Sequence, residues 1–245
     1  MNNNAIEIIN LTKIFKKTNA GIKNLNFTVK KGDFHALIGE NGAGKTTTIK
    51  SIINAIISYK GEIFINGHNA REKSIASKVT YIPEKTNFEK DIKLWDYLYF
   101  FALLDGLKRK EAKEKITHYL KLFGLYDRRK KRPYTFSSGE KKKVLIIEAI
   151  ISNSDIWILD EPAANLDPKA RIELYKVLKA MNENGKTIIL SSHILSELER
   201  YCNSLTIINK GVIVYTGPKT ESIEETYNKY IENDLKKFED LINIK

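Results

Sequence analysis

Residues Gly39-Glu-Asn-Gly-Ala-Gly-Lys45-Thr46 decide how this chain is read, matching G-x-x-x-x-G-K-[ST] at every fixed position. They follow a compact apolar run, Phe34–Ile38, and open a segment with helical spacing. A phosphate-binding loop requires that context. Gly39, Gly42 and Gly44 let the backbone turn its N–H groups toward one centre, with no β-carbon in the way. Glu40, Asn41 and Ala43 fill the positions between them in the same cofactor-binding loop. The converging donors and the start of the following helix receive phosphates, and the helix dipole adds to the attraction. Lys45 supplies positive charge for the β- and γ-phosphates, Thr46 a hydroxyl for magnesium and Thr47 an α-phosphate contact. Loops of this kind bind nucleotide in many unrelated machines, so the choice among machines rests on other residues.

Downstream, Ile156-Trp-Ile-Leu-Asp160-Glu161 reads as an apolar strand ending in two acids. Side chains alternate across a strand, so the adjacent carboxylates address different targets. Asp160 is expected to meet magnesium through its water shell. Glu161 is expected to polarise an attacking water. His193 follows another apolar run, Thr187–Leu190. Ligands bind beyond the carboxyl ends of strands in such sheets, which puts His193 within reach of a γ-phosphate.

The rest of the chain is organised around these points. Ala5–Ile9 and the alternation of Leu25, Phe27 and Val29 predict early strands, and Glu62–Ile65 and Val79–Ile82 two more. The loop helix is expected over about 44–57. After Pro83 the texture becomes helical over Leu94–Leu104 and Lys110–Phe123, with Ala112, Ile116, Tyr119, Leu120 and Phe123 on one face. Strand–helix alternation then resumes. Pro168 opens a helix, Ile194–Tyr201 forms another, and Leu205–Ile208 and Val212–Tyr215 flank a Lys210–Gly211 turn. The last stretch, about 220–242, is charged and compatible with a helix.

The 245 residues carry 42% hydrophobic side chains, enough for a substantial core. With 41 Lys+Arg against 30 Asp+Glu, the net charge is +11. Such a balance favours polyanions or an anionic membrane face, or is simply a lysine-rich solvated surface. Cys202 is the single cysteine, which excludes an intramolecular disulfide or a thiolate zinc cluster and suits a reducing setting. No secretory signal opens the chain, and no window approaches the roughly 18 apolar residues of a membrane span.

These pieces, in this order, resemble the ATPase subunits of ABC transporters over about residues 5–218. The fold this resemblance implies is α/β, a P-loop NTPase of ABC-ATPase type. A mainly parallel core sheet would carry an antiparallel β flank and a mostly helical insertion. One domain is expected: 1–84 and 151–218 as the α/β core, 85–150 as a helical subdomain, and 219–245 as a helical tail. By the resemblance Phe15 stacks on adenine, in a position where tyrosine is usual, the alternative being a core side chain. Glu84 stands where a magnesium-contacting glutamine is common and would be a third metal-site residue beside Thr46 and Asp160. Phe136-Ser137-Ser138-Gly139-Glu140 occupies the signature position written LSGGQ. Ser137 and Gly139 match it, while Phe136, Ser138 and Glu140 depart. Asp167 belongs to a loop crossing the dimer interface and also suits a helix N-cap. Lys45, Glu161 and His193 become the catalytic set.

The resemblance implies ATP and Mg2+ as cofactors and a head-to-tail pair of subunits, either two copies or this chain with a related one. Each ATP would lie between the phosphate loop of one subunit and Ser137–Glu140 of the other. A separate multi-span membrane permease would hold the pair at the cytoplasmic face of the membrane. The variant motifs resemble small exporter-type subunits moving a drug, antimicrobial peptide or lipid. Import, antibiotic sensing, and a soluble ATPase acting on ribosomes or nucleic acid remain the alternatives, with no nucleic-acid partner expected. Arg128–Arg132 reads as a solvated basic turn, and Trp95–Phe101 as core of the insertion with some residues lining the partner groove.

Overall fold

The computed structural model describes residues 3–72, 75 and 78–231. Within it the run Phe34–Ile38 forms β3, buried at all five positions. Five further strands share its sheet: β6 (Val79–Ile82), β7 (Ile156–Leu159), β8 (Thr187–Ser192), β9 (Ser204–Asn209) and β10 (Val212–Pro218). Their order is β10–β9–β3–β8–β7–β6. Every neighbouring pair is parallel except the β9–β10 hairpin. Strands covered on both faces are apolar throughout, and β7 shows why. Trp157 and Leu159 enter one core cluster while Ile156 and Ile158 enter the other.

A second, antiparallel sheet of four strands has the order β2 (Gly21–Lys30), β1 (Asn4–Ile14), β4 (Lys60–Ile65), β5 (His68–Asn69). The alternation of Leu25, Phe27 and Val29 points these three side chains inward. They meet Ile49 and Ile52 of α1 (Lys45–Ile52) and the Ile156–Ile158 face of the larger sheet. The opposite face is covered by α2 (Leu94–Leu104), α3 (Arg109–Leu122), α4 (Ser138–Ser152), α5 (Pro168–Glu183) and the single turn α6 (Leu195–Leu198). The α/β architecture with a parallel core, antiparallel flank and helical insertion is as expected.

Several local expectations shift. Helix α1 stops after Ile52 because Asn54 takes a left-handed conformation (φ 59°), a common helix exit. Helix α6 is shorter than Ile194–Tyr201: after Leu198 the Tyr201 N–H bonds the Leu198 carbonyl in a tighter, i−3 turn. In α2, Leu94, Leu98 and Ala102 are buried, whereas Phe100 is 61% exposed. The basic run is more than a solvated turn: the Arg129 and Lys131 carbonyls accept the Trp95 and Leu94 N–H groups that open α2. Residues 223–231 are helical; the rest of the expected tail helix lies outside the described residues.

Because β3, β6, β7 and β8 run parallel, their carboxyl ends lie along one edge. That edge gathers Gly39, Glu84, the Asp160–Glu161 pair and His193, which are separated by more than 150 residues in sequence.

Candidate active site

The phosphate loop leaves β3 through Gly39 (φ 157°) and enters α1 through Gly44 (φ 115°). Both need glycine for space as well as conformation. A β-carbon would lie 2.3 Å from the Ile208 carbonyl oxygen at Gly39 and 2.5 Å from Ile22 Cγ2 at Gly44. Ala43 is buried, so the loop is anchored through the one variable position that packs.

The loop borders a cleft of about 200 Å³. Glu40, Asn41, Gly42, Gly44 and Lys45–Thr47 form one wall, and Phe15, Ala20, Gly21, Glu84 and Glu161 complete the lining. Phe15 is 40% exposed at this cleft, so it is a rim residue rather than a core one. The Lys13 ammonium lies 5.2 Å from its ring centre.

Charge inside the cleft is tightly ordered. Lys45, 5% exposed, donates to the carbonyls of Gly39 (2.6 Å) and Glu40 (3.1 Å). Its ammonium also lies 3.3 Å from Glu161 Oε1. Thr46 donates its hydroxyl to Asp160 Oδ1 at 3.1 Å. The two acids are joined by Ser191, whose hydroxyl donates to Asp160 Oδ1 (2.7 Å) and accepts the Glu161 N–H (2.8 Å). Glu161 needs that support, since its φ of 42° is uncommon for a residue with a β-carbon. His193 Nδ1 meets Glu161 Oε2 at 3.0 Å. Glu161 Oε1 is buried without a hydrogen-bond partner. A carboxylate beside a phosphate-binding cleft can accept a proton from water.

Among the described residues no three His, Cys, Asp or Glu side chains gather as a metal cluster. The donors that do meet, the Thr46 hydroxyl and the Asp160 carboxylate, fit a magnesium ion of another kind. Such an ion keeps several waters and takes its remaining ligands from substrate phosphates.

Three contributors escape the motif reading. Ser191 sits in an unremarkable Ser-Ser-His stretch. Lys142 hides in a basic run yet is buried, its ammonium donating to the Pro83 carbonyl at 2.9 Å. Burial brings its pKa down to about 8, while Glu84 and Asp160 pull the other way. Arg128, in the other basic run, pairs with Glu140.

The remaining predicted residues lie apart from the cleft. Ser137 is the N-cap of α4 and forms a capping box with Glu140. Ser138 donates to the Asn165 carbonyl (2.9 Å). Asp167 caps α5, accepting the Ala170 N–H at 2.9 Å. None of Ser137–Glu140 or Asp167 lines the cleft. A larger apolar cleft of about 440 Å³ between α4 and α5 borders Gly139 but contains no phosphate-loop residue.

Known proteins resemble this chain in sequence and fold. The family model described as ABC transporter matches residues 22–164, a span that holds the loop, Ser137–Glu140 and both acids. A Mycoplasma pneumoniae protein provisionally named an ABC transporter ATP-binding protein is 43% identical over 221 residues, covering 89% of this chain and 68% of that one. The linearmycin resistance ATP-binding protein of Bacillus subtilis is 31% identical over 214 residues, covering 86% of this chain and 68% of its own length. A solved ATP-binding subunit of an ABC transporter superimposes with a TM-score of 0.83 at 32% identity, covering 92% of this chain and 99% of that one. With a family model matched over more than half its length, relatives of this identity and a fold in common with a solved subunit, the chain belongs to the ABC transporter family as an ATP-binding subunit.

Proposed function

We propose that this subunit hydrolyses ATP with magnesium in a head-to-tail dimer and passes the resulting movement to a separate membrane permease. The observation that carries the reading is Glu161, a carboxylate lining the phosphate-loop cleft with one oxygen beside the Lys45 ammonium and the other beside His193. Phe15 takes the adenine face and the loop N–H groups take the phosphates. Thr46 and Asp160, with Glu84, would hold magnesium, which would supply positive charge beside the β- and γ-phosphates. Glu161 accepts the proton of the attacking water, and His193 fixes the carboxylate and reaches the γ-phosphate.

Ser137–Glu140 sit at a helix N-terminus away from the chain's own cleft. That placement supports their serving the ATP of the opposite subunit, with Asp167 at the same interface. Among the described residues no helix is long and apolar enough to cross a membrane, so a permease has to supply the path. Phe100, Leu103 and Leu104 of α2 are exposed and offer an apolar face on the helical insertion for it to grip. Export of a drug, antimicrobial peptide or lipid is the direction we favour. It is supported by the variant signature and by likeness to a resistance protein.

The test is a pull-down of tagged Glu161→Gln protein from detergent-solubilised native cells with ATP and magnesium. The substitution preserves binding and stalls hydrolysis, so the closed pair accumulates. A multi-span membrane protein is the expected catch. Ribosomes or nucleic acid without a membrane protein would overturn the transporter role.

A further inference from the structure

The start of α4 carries a charge that its proposed task disfavours. Glu140 lies one turn into the helix, where a carboxylate suits the helix dipole. A triphosphate arriving at the same helix end would meet that negative charge, and like charges across an interface oppose association.

The contacts of Glu140 supply an answer. Oε2 accepts the Ser137 N–H at 3.0 Å and the Ser137 hydroxyl at 3.2 Å, which occupies it with the helix cap. Oε1 receives Nη1 of Arg128. The same guanidinium lies 4.2 Å from the centre of the Phe136 ring, so it is held by stacking as well as by the acid. Burial works against the charge on Glu140, but the Ser137 and Arg128 hydrogen bonds outweigh it and hold the carboxyl below its ordinary range. Glu140 is therefore an anion at neutral pH. The other two arginines of the basic run are turned elsewhere: Arg129 lies over Tyr126 and Arg132 pairs with Asp91.

We infer that Arg128 is a positioning residue for the signature segment: it neutralises Glu140 so that the α4 N-terminus still accepts the γ-phosphate of ATP bound to the opposite subunit. The inference rests on the head-to-tail reading above and assigns to the basic run a task that its solvated appearance conceals. It also explains how a glutamate is accommodated where the family pattern has glutamine.

A double-substitution cycle tests it. Arg128→Ala, Glu140→Gln and the pair together are made in the Glu161→Gln background, and ATP-dependent dimerisation is measured by sedimentation. Arg128→Ala alone is expected to weaken the dimer roughly tenfold, a size typical of an uncompensated interfacial charge. Adding Glu140→Gln is expected to restore most of that loss, because the anion that needed Arg128 is gone. Recovery separates charge compensation from a purely structural role, which glutamine cannot rescue. Equal dimerisation by the parent and Arg128→Ala, or an Arg128→Ala defect that persists in the double variant, would overturn the inference alone. A parent that stays monomeric with ATP would remove the head-to-tail reading and the inference with it.

Discussion

At the residue scale, Ser191 shows how much of this site is maintained by groups outside the motifs. It is fully buried, and its one hydroxyl serves both acids, donating to Asp160 and accepting the Glu161 N–H. Removing it leaves the Glu161 N–H unpaired beside a left-handed backbone. An orphaned buried donor costs about 1–3 kcal/mol. Ser191→Ala is therefore expected to lower kcat by roughly tenfold. ATP affinity should hold, because Lys45 and the loop N–H groups are untouched. Steady-state turnover alongside equilibrium binding of a fluorescent ATP analogue separates the two, and a parallel loss in both would show that Ser191 only supports the fold.

At the scale of elements, legibility followed the strength of the local pattern. The strand Phe34–Ile38 and the strand Val79–Ile82 were readable to the residue, since short apolar runs bounded by turn residues admit few alternatives. Helix ends were less so. Nothing in the apolar spacing of 44–57 marks Asn54 as the exit of α1, and nothing in that of 194–201 marks the tighter turn from Leu198 to Tyr201. The cleft residues that came from motifs could be named in advance. Lys142 and Arg128 could not, because a buried lysine and a solvated one look alike in a run of lysines. The N-cap of α5 combines both situations, since Asp167 was legible as a cap and its interface task is a proposal. Asparagine caps nearly as well as aspartate, whereas alanine costs about 1 kcal/mol. Asp167→Ala should thus lower the melting temperature, while Asp167→Asn should keep it and still weaken ATP-dependent dimerisation. If Asp167→Asn dimerises like the parent, Asp167 is a cap and nothing more.

At the scale of the whole molecule, His35 ties both sheets together through the strand that carries the phosphate loop. It lies on β3, is 1% exposed, and stacks on Phe27 of β2 at 6.0 Å. Its Nδ1 meets Ser204 Oγ at 2.9 Å, and Ser204 donates onward to Asp33. Its Nε2 meets Thr206 Oγ1 at 3.0 Å. With Ser204 donating to Asp33, Nδ1 carries the proton and Nε2 accepts from Thr206, so the neutral ring is fully satisfied. Burial accordingly pulls its pKa down from 6.5 to about 3. The folded value is depressed, so the unfolded chain takes up a proton that the folded chain refuses. Stability from this group is complete above pH 6.5 and drains away as the pH falls toward 3. At pH 5 the loss is about 2 kcal/mol, from about 1.5 pH units below the unfolded value at 1.36 kcal/mol each. Urea unfolding between pH 7 and 5 should show this slope in the parent, and His35→Gln, which does not titrate, should flatten it. Parallel slopes in the two proteins would assign the acid sensitivity to the carboxylates instead. A chain whose phosphate loop hangs from a strand pinned by a neutral histidine should lose nucleotide binding and sheet packing over the same pH range, because β3 cannot release one without the other.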